Sequence, residues 1–582
     1  MQGSIVTLYR SILAAEKGSI KKEWGGKRLS VALAYPNVYR VGMSNLGFQI
    51  VYGLFNRRPD VVAERVFLPE GQEMSLYLQS GGPLLSLESQ KPVHDFDLLA
   101  FSLPFENDYP NILKILELSG IALEAQGRTG EDPFVLGGGV TTSLNPEPIA
   151  PFFDFFLLGE AETNVSTFVD LFAELRDRGC RRDEILKNLC AGMNSLYAPS
   201  LYRPEYNEDG TIRVFQTVLQ GIPERIRAPV LSTLEGPEAS ASTILTPDTE
   251  FSDRVLIELG RGCGHACRFC AAGYVYRPPR TYPEEAIRTS VNTALSTGRR
   301  VGLLSAAVSD IPGIEKITRE ILKSEGDFSV SSLRAETITV GLLEDLRSSG
   351  QRTIAIAPEA GSERLRKVIN KHLSEDQILE AVRLISTVYP FNLRLYFLIG
   401  LPTETQEDIA AIPALVKRIK HAMIKTSAKR GKIGRIRLSV NCFIPKPFTP
   451  FQWFPLEDTG TLREKQRWLK KALVKQGGVQ VHFDLPKWAY VQALLSTGDR
   501  RVAPIILETH RNQGNWKKAF LVSKMNPDFF VHRTRDLEET LPWDFVDHGL
   551  SKRHLAREYS LALKGRQSEG CRVGGCHRCG IC

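Results

Sequence analysis

The sequence has no run of about 18 apolar residues, the length a membrane-spanning helix needs. Its opening segment, MQGSIVTLYRSILAAEKGSIKKEW, lacks the apolar centre and cleavage site of a secretory signal. These absences lead us to expect a cytoplasmic protein with no membrane partner. No internal repeat or low-complexity tract is present, and 42% apolar with 24% charged residues argues against a disordered or fibrous chain. Cysteine and histidine are scarce, ten of each in 582 residues. Their placement is therefore informative. Most of the cysteines fall in two short groups, which suits metal ligation in a reducing compartment better than a disulfide framework.

The first group lies in GRGCGHACRFC, residues 260–270, where Cys263, Cys267 and Cys270 have the spacing C-x3-C-x2-C. Iron–sulfur clusters normally take four thiolates. Three from one loop leave one iron open to a small molecule. A zinc site completed by His265, or simply buried thiols, are the alternatives; zinc sites more often use two separated ligand pairs. The loop follows an apolar run, Val255 to Leu259, that reads as a strand.

With Phe269 directly before its last cysteine, this loop resembles the signature of the radical S-adenosylmethionine (SAM) enzymes. The resemblance implies that SAM chelates the open iron of a 4Fe-4S cluster through its amino and carboxylate groups. An electron from the reduced cluster then splits it to methionine and a 5'-deoxyadenosyl radical. An electron donor such as ferredoxin or flavodoxin is implied as a partner.

Ahead of the loop, short apolar runs at 30–36, 97–103, 133–139 and 154–158 alternate with helical patterns. This predicts a Rossmann-like, doubly wound parallel sheet over residues 1–200, with ligands at the carboxyl ends of its strands. Gly137, Gly138 and Gly139 mark one such end. VLGGGVTTSLNPEPIAPFFDFFLLGEAE, residues 135–162, resembles the cobalamin-binding domain that precedes many radical SAM domains, and cobalamin is the cofactor implied. The loop YPNVYRVGMSNLG departs from that family in lacking D-x-H-x-x-G, and the first histidine is His94. Cobalamin bound without a protein histidine on cobalt is expected, or a sheet that has lost its cofactor. Residues 201–245 read as a hairpin and linker.

From 246 to 480 the pattern strand–helix recurs six times, a partial (βα)6 TIM-type barrel whose chemistry belongs at the strand ends. There lie Ser309 and Asp310, Arg334, the PEAGSE turn with Glu359 and Ser362, and IGLPTET with Gly400. PEAGSERLRKVINK and FLIGLPTET resemble the branch containing methylthiotransferases and elongator-type enzymes. The resemblance implies that Glu359 and Ser362 contact the ribose or methionine of SAM, that Arg334 pairs with its carboxylate, and that Gly400 and Phe443 line the adenine. A helix cap or a surface ion pair is the plainer role for each. In NCFIPKPFTPFQW, Cys442 reads as a core thiol, and Lys446 and Phe448 lie where the family's SAM pocket would be.

The second group, Cys571, Cys576, Cys579 and Cys582, closes a small cysteine-rich region spanning 481–582. Four thiolates complete a site: a second 4Fe-4S cluster, or zinc, with His577 as an alternate ligand. The formal charge of +8 concentrates in 416–437 and 462–475, either a phosphate-binding footprint or solvated helix faces. The whole chain is similar to radical SAM proteins with a cobalamin-binding-like start and a cysteine-rich tail. Two functions remain open: a radical SAM enzyme acting on a C–H or sp2 carbon of an RNA, ribosome-related or small substrate, with methylation through cobalamin as one form of it, and a non-catalytic iron–sulfur or zinc RNA-binding protein.

Overall fold

The structure, a computed structural model, describes residues 2–26, 28–252, 254–297 and 300–582. The first sheet contains β1 (Leu29–Tyr35), β2 (Val61–Phe67), β3 (Leu98–Ser102), β4 (Phe134–Gly138), β5 (Phe155–Leu157) and β6 (Leu196–Tyr197) in the order β2-β1-β3-β4-β5-β6. All pairs are parallel except β5 with β6. β1, an inner strand, and β2, at the edge of the sheet, are both buried along their whole length, so both faces of the sheet are covered there. The order reverses between β1 and β3, so their connecting segments diverge and leave a crevice at the carboxyl ends.

β2 escapes the apolar-run reading because VVAERVF carries Glu64 and Arg65 in its middle. Both are buried. The Arg65 guanidinium donates to Glu88 at 2.6 Å and to both carboxylate oxygens of Glu16 at 2.7 Å. Glu64 accepts from Trp24 Nε1 at 2.7 Å and Ser89 Oγ at 2.7 Å. A fully paired ionic strand hides its burial from any hydropathy pattern.

β7 (Tyr202–Tyr206) and β8 (Ile212–Thr217) form the antiparallel hairpin, followed by β9 (Ile226–Arg227). The second unit begins with β10 (Arg254–Glu258) and a two-stranded ribbon, β11 (Gly260–Arg261) and β12 (Arg280–Thr281), flanking the cysteine loop. Then come β13 (Arg300–Leu304), β14 (Phe328–Val330), β15 (Thr353–Glu359), β16 (Asn392–Ile399), β17 (Ile436–Cys442) and β18 (Val479–Phe483). β10-β13-β14 and β15-β16-β17-β18 are parallel sheets joined through a single bridge, Leu333 to Ile356. Six strands are expected from sequence, and β18 is a seventh. Its VQVHF is only partly buried, as befits an edge, and lacks the apolar run of its neighbours.

The C-terminal region returns across both units. Asn145 Nδ2 donates to the carbonyls of Ser496 and Gly498 at 3.1 and 2.8 Å, and Arg500 pairs with the buried Glu147 at 2.8 Å. Glu106 accepts from Lys446 and, at 3.0 Å, from Gln492. Burial pushes the Glu106 carboxyl up, but these two donors outweigh it and hold it below its ordinary value. β9 pairs in parallel with β19 (Val546–Asp547). Residues 481–582 are thus packed as a strap across the other two units.

Replacing Arg65 with Met leaves two buried carboxylates unpaired, which costs about 3–5 kcal/mol. Thermal unfolding of the first unit should begin several degrees lower than in the wild type. Adding Glu16→Gln and Glu88→Gln should recover part of the loss; no recovery would mean that the cost lies in packing rather than charge.

Candidate active site

The cysteine loop runs from the end of β11 and is shaped by backbone that only certain residues adopt. Gly262 has φ +77°, and a Cβ there would meet the Tyr276 carbonyl oxygen at 2.4 Å. Ala266 also has positive φ, and its carbonyl accepts from Asn370 Nδ2 at 3.1 Å and Tyr274 Oη at 3.2 Å. Arg268, a position between the cysteines, is fully buried. Its guanidinium donates to the carbonyls of Val368 and Arg566, each at 2.8 Å, and to Glu558 at 3.0 Å, while its amide donates to Ile369 at 3.0 Å.

Burial pushes the Cys267 thiol up to about 12, opposed by the nearby Lys371. Cys270 is raised too, by burial, with the Gly273 amide opposing. Cys263 and Cys270 raise the Cys267 thiol further through their charge, as does Glu359. Thiols that repel one another's ionisation in a dry site are stabilised as thiolates by binding a cation, so the donor set fits a metal cluster. Among the described residues no three ligating side chains converge tightly enough for a single metal ion. The His265 Nε2 lies 2.5 Å from Asp310.

Glu359 ends β15 with φ +66°, beyond a register shift at Ile356. Burial raises its carboxyl and Lys371 opposes this. Strained backbone at a strand end is where function concentrates. Phe269 packs with Phe443, Ala360 and Leu401 in one small apolar cluster, so Phe269 and Phe443, both selected from sequence, share a wall beside the loop. Gly400 has φ +81°, its amide donating to Glu404 at 3.0 Å, and Lys465 bridges Glu404 and Glu457 behind it at 2.6 and 2.5 Å.

Other sequence candidates are occupied within the fold. Ser362 caps the helix Glu363–Val368, accepting from Leu365 N at 3.1 Å and donating to Asp408. Ser309 Oγ accepts from Arg334 N at 3.3 Å and from Thr337 Oγ1 at 2.7 Å. Arg334 pairs with Glu336 and lies 3.7 Å from Asp310. Lys446 is engaged by Glu106, and Phe448 meets the His548 ring edge-on at 4.5 Å. Cys442 is a buried thiol pushed up to about 12 by that burial. Arg268, Asn370 and Lys371 were not singled out from sequence. The PEAGSERLRKVINK segment that contains two of them was.

A cavity of about 650 Å³ lies between the two sheets. One side is made by the carboxyl ends of β1, β3, β4 and β5, including Leu33, Ala100 and Gly137 to Gly139, and the other by Gly260 to Gly262, Tyr276 and residues 304–306. The three glycines differ in role. A Cβ on Gly137 would strike the Phe156 ring at 2.5 Å, and one on Gly139, at φ +118°, the Leu103 backbone at 2.7 Å. On Gly138 it would meet nothing closer than 3.7 Å. At the edge Arg261 pairs with Glu258, Glu162 and Glu160 at 2.8, 2.5 and 3.3 Å. Burial opposes the Arg261 charge, but Glu258 and Glu162 outweigh it and hold the guanidinium above its ordinary value. His548, from the C-terminal strap, also lines the cavity; its Nε2–H donates to the Ser143 carbonyl at 2.8 Å, and burial lowers the ring to about 4, so it is neutral.

Residues 47–199 match the family described as radical SAM proteins, N-terminal, and residues 257–416 match the radical SAM superfamily. An uncharacterised protein of Methanocaldococcus jannaschii is 27% identical over 81% of this chain and 90% of its own length. The ribosomal protein uS12 methylthiotransferase RimO of Thermodesulfovibrio yellowstonii is 22% identical over 28% of this chain and 41% of its own. Among solved structures, the radical SAM methyltransferase TsrM from Kitasatospora setae, with cobalamin and a [4Fe-4S] cluster bound, aligns with a TM-score of 0.46 at 12% identity over 71% of this chain and 75% of that one. The chain thus carries a radical SAM domain at 257–416 behind the N-terminal domain of such proteins. It is an enzyme whose cofactors are SAM and a 4Fe-4S cluster, at which SAM is reductively cleaved.

Replacing Cys263, Cys267 and Cys270 together with Ala should remove about four irons per chain and abolish 5'-deoxyadenosine formation under dithionite. Persistent SAM cleavage in that variant would place the cluster elsewhere.

Proposed function

We propose that this enzyme uses the inter-sheet cavity to hold a corrinoid beside its SAM site, and that it alkylates or otherwise functionalises carbon on an RNA or ribosome-related substrate. The observation that carries the reading is the cavity itself. Its volume is in the range of cofactor sites. It opens at the switch point of a doubly wound sheet, where such folds bind ligands.

The charge around the cavity argues against a nucleotide. Three carboxylates, Glu160, Glu162 and Glu258, stand against Arg261 and Arg280, and both guanidiniums are already paired with them. No described cation at that edge is left for a pyrophosphate. The helix after Gly139, Val140–Leu144, is too short to offer a phosphate much dipole. A flat macrocycle needs apolar wall and close backbone approach, which Leu33, Ala100, Leu136 and Gly138 supply. Bound there, a corrinoid supplies a carbon carrier that exchanges alkyl groups between SAM and substrate. His548 holds its Nε2 proton on the Ser143 carbonyl and leaves its buried Nδ1 lone pair without a hydrogen-bond partner.

Around the SAM site, Cys263, Cys267 and Cys270 would hold the cluster, leaving one iron for SAM. Glu359 is placed to accept hydrogen bonds from an ammonium or ribose, and Phe269 and Phe443 to exclude water. The substrate class is supported by the names of partial relatives, RimO and a tRNA-2-methylthio-N(6)-dimethylallyladenosine synthase of Desulfitobacterium hafniense, 22% identical over 37% of this chain and half of its own length. A ferredoxin or flavodoxin as donor and a cytoplasmic setting belong to the same proposal. No described helix is long and apolar enough to cross a membrane. The division into 1–200, 201–245, 246–480 and 481–582 is likewise our proposal for its domains.

Anaerobic protein incubated with hydroxocobalamin should carry about one corrinoid per chain through gel filtration. Gly138→Phe should abolish retention while leaving iron content unchanged, because the side chain enters the cavity without backbone strain. Retention by that variant equal to the wild type would move the corrinoid out of this cavity; no retention by the wild type would remove it from the mechanism.

A further inference from the structure

The C-terminal cysteines are packed directly on the SAM-cluster loop. The Cys571 amide donates to the Gly264 carbonyl at 2.7 Å, one residue from Cys263. A Cβ on Gly570 would meet that same carbonyl at 2.5 Å, so the two segments approach as closely as backbone allows. Ser568 fixes the register: its amide donates to Asn370 Oδ1 at 2.9 Å, and its carbonyl lies 2.8 Å from His372 Nε2. The far end of the tail is held by the Ser551 amide donating to the Cys579 carbonyl at 2.8 Å.

The four cysteines lie within twelve residues at the spacing C-x4-C-x2-C-x2-C. Arg572 and Arg578 flank them, paired with Glu569 at 3.4 and 2.7 Å. Cations around thiolates stabilise a centre of net negative charge. The His577 Nδ1 lies 2.6 Å from the Cys582 carbonyl.

Building on the radical SAM reading, we propose that Cys571, Cys576, Cys579 and Cys582 hold a second 4Fe-4S cluster that serves as the electron inlet of the first. The balance is one electron: a reduced low-potential carrier of the ferredoxin or flavodoxin class loses it to the tail cluster and leaves oxidised. The electron then passes to the SAM cluster across the contact between Cys571 and Gly264. No proton moves and no bond is made or broken in the relay. Cys582 is exposed, which gives a carrier access, whereas Cys267 and Cys270 are not fully open to solvent. A structural zinc centre would need no contact with the other cysteine loop.

The test uses the full chain, reconstituted anaerobically, beside Cys576→Ser/Cys582→Ser. These two positions lie away from the docking bonds at Ser568 and Cys571. Iron should fall from about eight to about four per chain with zinc well below stoichiometric, and the ratio of flavodoxin-driven to dithionite-driven 5'-deoxyadenosine formation should fall at least about tenfold. About four irons with stoichiometric zinc in the wild type overturns the second cluster; an unchanged ratio in the variant overturns the relay. Failure of the wild type to cleave SAM under dithionite strikes the parent reading instead, and the metal count still decides the tail.

Discussion

The buried guanidinium of Arg268 is the constraint on which the cluster loop depends. It sits between Cys267 and Cys270 and is satisfied only by groups from three other places: the carbonyl ending the helix Glu363–Val368, the carboxylate of Glu558 and the carbonyl of Arg566. An arginine so enclosed is costly unless every partner is in place. Burial pulls its guanidinium below the ordinary value, with Glu558 opposing. The loop therefore takes its conformation only when barrel and C-terminal strap are both docked. The active site is thereby made conditional on the whole chain being folded.

That dependence explains what could be read from the sequence. Cysteine spacing is local, so C-x3-C-x2-C was legible, as were Phe269 and the glycine-ended β4. The strands at 30–36, 97–103, 133–139 and 154–158 showed because none carries a charged residue in its middle. β2 did not, since Glu64 and Arg65 are neutralised by Glu16, Glu88 and Trp24, partners more than twenty residues away. β18 did not, since an edge strand needs little apolar surface.

Side-chain roles were less legible than positions. Ser362 and Ser309 stand at strand ends as expected, but their hydroxyls are committed to capping and to Thr337. A serine at the start of a helix satisfies a free amide first. Position at a strand end identifies a neighbourhood; only the hydrogen-bond inventory shows which polar groups remain for a ligand. By that measure Glu359 is the stronger candidate, because the strained backbone at the end of β15 places its carboxyl near Lys371 and the thiols rather than in a cap.

The cavity and the cysteine loop share a stretch of backbone. Gly260, Arg261 and Gly262 line the cavity, and Cys263 follows immediately. Gly260 cannot carry a side chain, since its Cβ would meet the Arg280 carbonyl at 2.6 Å. Arg261 between the two glycines is locked by three carboxylates, one from β10 and two from the segment after β5. This ion-pair set fixes the N-terminal sheet against the barrel at the point where the two sites meet. Small residues permit the approach and the charges set its register. A group carried in the cavity is thereby held at a constant separation from anything bound at the open iron, the condition for transfer between two cofactors without release to water.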